Sequence, residues 1–372
     1  MDFLRWPFRS EGDAGPRRPG RRKCILHVGS PKTATSTIQA VLKANRERLL
    51  EDGILIPRSG QTESGSHRFL AFSLAGHPVP REGAAADRKL AREIAASDAE
   101  TILISSEFFW SILNRKDAAE RAIGGLRSMD LDVTLLLYVR NQPQYFNSMY
   151  QHDANFRRRR GFAEFVAGAR RNMARYGYGR WLGFAETHGV PLIVRPFSEE
   201  VRRRGMVEDF LAAAGVASAG RTDLAAELRR SVGPFTIAVA QSLMQRIGER
   251  TKLTEEQASD CRRALRAELR RRGIEDHGYC GLTKGLAAEI EQAFAEDNAH
   301  VAEAVWGKPW GEVFACDTGR DFEPNDYAMT GVPADRRQLL EEVLASLGPK
   351  IEAIARPNAN RLLTVLKSRL RL

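Results

Sequence analysis

Lys32 is the residue around which a chemical reading of this sequence forms. It stands in the run His27-Val28-Gly29-Ser30-Pro31-Lys32-Thr33-Ala34-Thr35-Ser36-Thr37, between the apolar stretch Cys24 to Val28 and a helical pattern with Ile38, Val41, Leu42 and Leu49 on one face. A loop in that place ends at a helix N-terminus, where free main-chain N–H groups and the positive end of the helix dipole hold an anion. Thr35, Ser36 and Thr37 add hydroxyl donors, and Lys32 adds a mobile point charge. A triphosphate loop of the form G-x-x-x-x-G-K-[S/T] is not present: the lysine follows Gly29 by three positions and the second glycine is missing, which disfavours triphosphate hydrolysis. The bland alternative is a solvated lysine beside hydroxyls that merely cap a helix.

A second cation stands at the end of another apolar run. Val133 to Val139 leads into Arg140, and Ser148 follows eight positions later. An arginine at the carboxyl edge of a strand emerges beside the first loop if the two strands are neighbours, and a hydroxyl in the following helix can reach the same anion. Two residues are candidate proton acceptors. His67, in SGSHRFLAFSLAG, has an ordinary pKa near neutrality, and Glu107, in ILISSEFFW, lies just past a strand end. Each has an ordinary reading too: an ion pair for Arg140, a helix-surface hydroxyl for Ser148, a helix cap for His67, a helix-start carboxylate for Glu107. His27, inside the first strand, reads as a core histidine.

Positioning these groups requires strands that share one carboxyl edge. Strands are expected at Cys24 to Val28, Ile54 to Ile56, Thr101 to Ser105, Val133 to Val139 and Leu192 to Arg195, with helices between them and no hairpin signals. That alternation predicts an α/β fold: a doubly wound, mostly parallel sheet of four to five strands, P-loop-like, flanked by helices. From Arg202 onward the pattern is almost wholly helical, with helices expected at Met206 to Ala213, Pro234 to Ile247, Glu255 to Arg271, Leu286 to Val305 and Arg337 to Leu347. Residues 1–22 read as a flexible basic arm, 23–316 as the main domain and 317–372 as a helical extension with a basic amphipathic tail.

The two motifs together resemble the PAPS-dependent sulfotransferases, in particular a bacterial branch whose first motif runs H-[I/V]-G-x-P-K-[T/S]-G-[T/S]-[T/S]-x-[I/L]-Q. Residues 27–39, HVGSPKTATSTIQ, match it, with Ala34 in place of the usual glycine. The resemblance extends over residues 24–316. It implies that Gly29, Ser30, Pro31, Lys32, Thr33, Ala34, Thr35, Ser36 and Thr37 bind the 5′-phosphosulfate end of 3′-phosphoadenosine 5′-phosphosulfate (PAPS), with Lys32 at the sulfuryl group. Arg140 and Ser148 match the residues that bind the 3′-phosphate. His67 is the favoured base, since histidine or glutamate follows the loop in many relatives, and Glu107 is its competitor. The product would be adenosine 3′,5′-bisphosphate, with no metal required and a hydroxylated acceptor, a glycan being favoured. If the loop needs a left-handed backbone at position 34, alanine there is strained.

Charge sets the wider bounds. Lys and Arg outnumber Asp and Glu by 57 to 47, a formal charge of +10 that suits anionic ligands. Four scattered cysteines, without C-x-x-C or zinc spacing, indicate neither a disulfide framework nor a structural metal. No leader or membrane-length apolar stretch is read, and a cytoplasmic protein is expected. Rival readings are a P-loop kinase using Mg²⁺, a donor-binding but inactive relative, and a basic module for nucleic acid or membrane. Nucleic acid is disfavoured by the lack of helix-turn-helix, RNP or zinc patterns. The tail NRLLTVLKSRLRL suits a membrane surface or a partner, although a docked or frayed terminal helix is commoner. The arginine run 157–160, with Arg170, Arg171, Arg175 and Arg180, could hold an acidic glycan, but such runs are usually solvated.

Overall fold

Burial on both faces of five short apolar runs decides the architecture. The computed structural model describes residues 20–216, 231–248 and 252–356. Strands β1 (Arg22–His27), β2 (Ile54–Leu55), β3 (Thr101–Ser105), β4 (Leu131–Val139) and β5 (Leu192–Pro196) form one sheet in the order β2-β3-β1-β4-β5, with every pairing parallel. Successive side chains of a strand point to opposite faces. Cys24, Leu26, Ile102, Ile104, Leu135, Leu137, Leu192 and Val194 accordingly enter one apolar cluster, and Ile25, Leu103, Leu136 and Tyr138 enter another. Both faces are covered, which is why these strands read as continuous apolar runs.

Helices supply the two covers. Arg68–Leu74, Ala86–Ala95, Lys116–Arg127 and Arg180–His188 pack on the first face, and Thr35–Ala44 and Met206–Ala213 on the second. The chain leaves β1 toward β2 on one side of the sheet and leaves β4 toward β5 on the other. The reversal falls at the carboxyl ends of β1 and β4, where open parallel sheets as a class have a crevice that takes ligands.

The contacts divide the chain into two compact units, neither continuous in sequence. The first holds the sheet and comprises residues 1–145, 172–229 and 288–320; the second comprises 146–171, 230–287 and 321–372. The second unit is helical among the described residues, its core formed by Pro234–Arg246, Glu255–Arg271 and Ala334–Ala355. None of the helices in the described residues is long and apolar enough to cross a membrane. Most of the basic arm (1–19) and of the tail (357–372) lies outside the described residues.

Two helix expectations need correction. Leu286 to Val305 is not one helix: Lys284–Ala293 and Ala295–Trp306 are separated at Phe294, whose backbone leaves helical angles while its side chain is buried. The last helix, expected over Arg337 to Leu347, runs from Ala334 to Ala355, through Gly348 and Pro349. Val343, Leu347 and Ile351, four residues apart, are all buried in the same core, and this stripe holds the helix across the proline. Proline in a helix interior removes a hydrogen bond and crowds the preceding turn. Pro349→Ala is therefore expected to stabilise the second unit by about 1–2 kcal/mol, read as a higher midpoint in thermal unfolding followed by circular dichroism.

Candidate functional site

The loop after β1 is strained and rich in unspent donors. Gly29, Lys32 and Ala34 all have positive φ, at 47°, 69° and 58°. Ala34 is the N-cap of the helix Thr35–Ala44, in the left-handed region and without a side-chain cap, and the first turn carries no acidic residue. Left-handed backbone costs a residue with a Cβ about 1–2 kcal/mol, so strain is concentrated in this short segment. At Gly29 a side-chain carbon would sit 3.1 Å from the Thr35 hydroxyl, a tight contact that adds to the positive φ in favouring glycine there. Thr33 Oγ1 donates to the Ser30 carbonyl at 2.6 Å and fixes the turn.

Among the described residues, the main-chain N–H groups of Gly29, Ser30, Thr33, Ala34, Thr35 and Ser36 find no protein acceptor. Thr35 Oγ1 is buried and also lacks a partner. Clustered N–H groups at a helix N-terminus, beside an unsatisfied buried hydroxyl, form a cradle suited to an anion. Ser36 is exposed and Thr37 is buried.

Arg140 meets this loop directly. Its Nη1 donates to the Lys32 carbonyl at 3.0 Å, across 108 residues of sequence. The contact follows from topology, because β1 and β4 are hydrogen-bonded neighbours that end at the same edge. The Tyr178 hydroxyl donates to the Arg140 carbonyl at 2.7 Å, accepts from the Arg140 N–H at 3.2 Å, and is also hydrogen-bonded to Ser30. The Phe197 ring supports the guanidinium at 5.3 Å and that of Arg202 at 5.6 Å. Burial, followed by the charge of Arg202, lowers Arg140 to about 10, which still leaves it cationic at neutral pH.

The carboxylate and the histidines divide differently from the sequence reading. Glu107 is half-buried, its Cα close to Gly29, and its Oε2 accepts from Gln39 Nε2 at 3.0 Å. Thr35 and Gln39 are four residues apart, hence on one face of the helix, a spacing that could have marked Gln39 from sequence. His67, expected as the base, is fully buried. Its Nε2 lies 2.9 Å from the Pro57 carbonyl, which can only accept, and its Nδ1 accepts from the Ser105 N–H at 3.1 Å. That network assigns the neutral Nε2–H tautomer and leaves no ring nitrogen for a substrate proton. His67 is a strut between the ends of β2 and β3. His27 is likewise a core residue, bonded through Nδ1 to Ser105 Oγ at 2.8 Å.

Ser148 is half-buried on the helix Gln142–Ala154, at a position belonging to the second unit. In that unit Arg157 pairs with Glu255 at 2.6 Å, and Arg160 pairs with Asp153 at 2.5 Å. In the first unit a cavity of about 500 Å³ borders Asn141, the residue after Arg140, with Glu291, Asn298, Glu303, Lys308 and Trp310 in its wall. Tyr178 and Arg202 belong to the site without any local sequence signal, since nothing near them in the chain resembles a ligand loop.

Two outcomes follow. Ala34→Gly removes a Cβ from a left-handed position outside the helix interior, so it should raise stability by about 1 kcal/mol in urea denaturation. Burial depresses His67 and lowers His27 to about 3, from an ordinary 6.5. Below 6.5 the unfolded chain therefore binds more protons than the folded one. Stability contributed by these residues is full above that pH and is lost as pH falls toward the folded values. Between about pH 6 and pH 5 denaturation should show the His27 contribution falling with a slope that approaches about 1.4 kcal/mol per pH unit, and His67→Gln should make the total pH dependence shallower.

No protein-family model, no curated protein and no solved structure matches this chain.

Proposed function

We propose that the chain is a sulfotransferase that moves a sulfuryl group from PAPS to a hydroxyl acceptor. The observation that carries this reading is the 3.0 Å bond from Arg140 to the Lys32 carbonyl, which joins two anion-binding elements in one crevice. A donor with a phosphate at each end of its ribose needs two such elements. The loop N–H groups and Thr35 would hold the 5′-phosphate, and Arg140 would hold the 3′-phosphate. The reading rests on the residues of the first unit alone.

In the reaction the acceptor oxygen bonds to sulfur while the bond from sulfur to the bridging phosphate oxygen breaks. Negative charge grows on that leaving oxygen, where Lys32 and the loop amides would stabilise it. Glu107 takes the acceptor proton in this scheme, oriented by Gln39, and replaces His67 in that role. Positioning supplies much of the rate, as in phosphoryl transfer. A glycan acceptor remains the favoured class.

Calorimetric titration separates this reading from a kinase. Adenosine 3′,5′-bisphosphate should bind more tightly than ATP with Mg²⁺, and Lys32→Ala and Arg140→Ala should each weaken it at least tenfold, since hydrogen bonds to charged groups contribute about 1.5–3 kcal/mol. Tighter binding of ATP with Mg²⁺ would sink the proposal.

A further inference from the structure

Three arginines of the first unit, Arg22, Arg127 and Arg195, spend donors on the protein, whereas Arg68 and Arg202 each leave a buried Nε without a partner. Arg22 Nη1 donates to the carbonyls of Ile94 and Ser97 at 2.7 and 2.6 Å. Arg127 Nη2 donates to those of His188 and Gly189 at 3.0 and 2.8 Å, and Arg195 pairs with Asp209 at 2.6 Å. Arg180 does neither. Its guanidinium lies 4.3 Å from the centre of the Trp110 ring and 5.4 Å from that of Trp181, and Nε and Nη2 are buried with no hydrogen-bond partner among the described residues. Trp181 Nε1, on the neighbouring side chain, is buried and unpartnered as well.

Leaving such donors unmade costs free energy, and a native protein accepts that where something else supplies the acceptor. The carboxylate in electrostatic range, Asp297, is already committed: its oxygens accept from the Tyr178 N–H at 2.6 Å and the Gly179 N–H at 3.1 Å. Arg180 is half-buried, so part of its side chain meets solvent while Nε and Nη2 are enclosed. Burial lowers it to about 10, and it stays cationic at neutral pH. Tyr178 links this place to the crevice, since its ring packs edge-on against Trp110 at 6.1 Å while its hydroxyl holds the Arg140 main chain.

We propose that Arg180, stacked on Trp110, is the acceptor subsite and binds an oxyanion, a carboxylate or sulfate, on a sugar-like acceptor. This rests on the sulfotransferase reading for the word acceptor; the oxyanion site itself stands on the unspent fork. A planar guanidinium over an aromatic face offers two parallel N–H groups, which match a carboxylate or sulfate edge. The arginine run 157–160 is a weaker candidate, because Arg157 and Arg160 are held in ion pairs.

The test is tryptophan fluorescence of the full chain, titrated with glucuronate, glucose 6-sulfate and glucose, each with and without adenosine 3′,5′-bisphosphate. Trp110 makes the site its own reporter. Saturable quenching by either acidic sugar but not by glucose, weakened at least tenfold in Arg180→Gln and partly restored in Arg180→Lys, is the expected result, with the carboxylate and sulfate arms naming the anion. Arg180→Lys keeps a cation over the ring and serves where the glutamine variant fails to fold. Equal quenching by glucose, no saturation with either acid, or an unchanged affinity in both variants would overturn the subsite. Failure of the bisphosphate to bind, with acidic sugars still saturating, would instead refute the sulfotransferase reading and leave the oxyanion site standing.

Discussion

One hydrogen bond organises this site: the guanidinium of Arg140 on the carbonyl of Lys32. It exists because β1 and β4 lie side by side, in parallel, and end at the same edge. Had either strand moved one place in the sheet, the loop and the arginine would be separated by another strand's width of about 4.8 Å. Tyr178 and Phe197 hold the arginine from its main chain and from its planar face. The cation is thereby fixed before any ligand arrives, which is the condition for electrostatic preorganisation.

The loop carries the complementary burden. Left-handed angles at Lys32 and Ala34, an uncapped helix start and a buried hydroxyl without a partner are each unfavourable alone. Their concentration in one segment is the pattern expected where a fold gives up stability for a ligand site. The sheet beneath is apolar on both faces and supplies the rigidity that such a segment needs.

Histidine and carboxylate chemistry is sorted by burial. His67 and His27 are enclosed and bonded to β3, so they contribute to folding at neutral pH and oppose it in acid. Glu107 stays at the rim of the crevice, oriented by Gln39 and partly open to solvent. Arg180 presents the opposite case, a cation stacked on indole rings whose Nε and Nη2 have no hydrogen-bond partner among the described residues.

Local sequence determined a good deal. Apolar runs bounded by glycine and charge located all five strands, Thr101–Ser105 to the residue, because strands buried on both faces carry a continuous signal. The strained position at Ala34 was legible too, since the motif there ordinarily uses glycine. Strand order was not, because pairing depends on contacts between distant segments; neither were the roles of Tyr178 and Arg202, which face the site only once β1, β4 and their helices are packed. His67 was misread for the same reason. Its type and spacing suit a base, but only the tertiary structure decides whether a ring nitrogen meets solvent or a carbonyl, and here the Pro57 carbonyl and the Ser105 N–H occupy both.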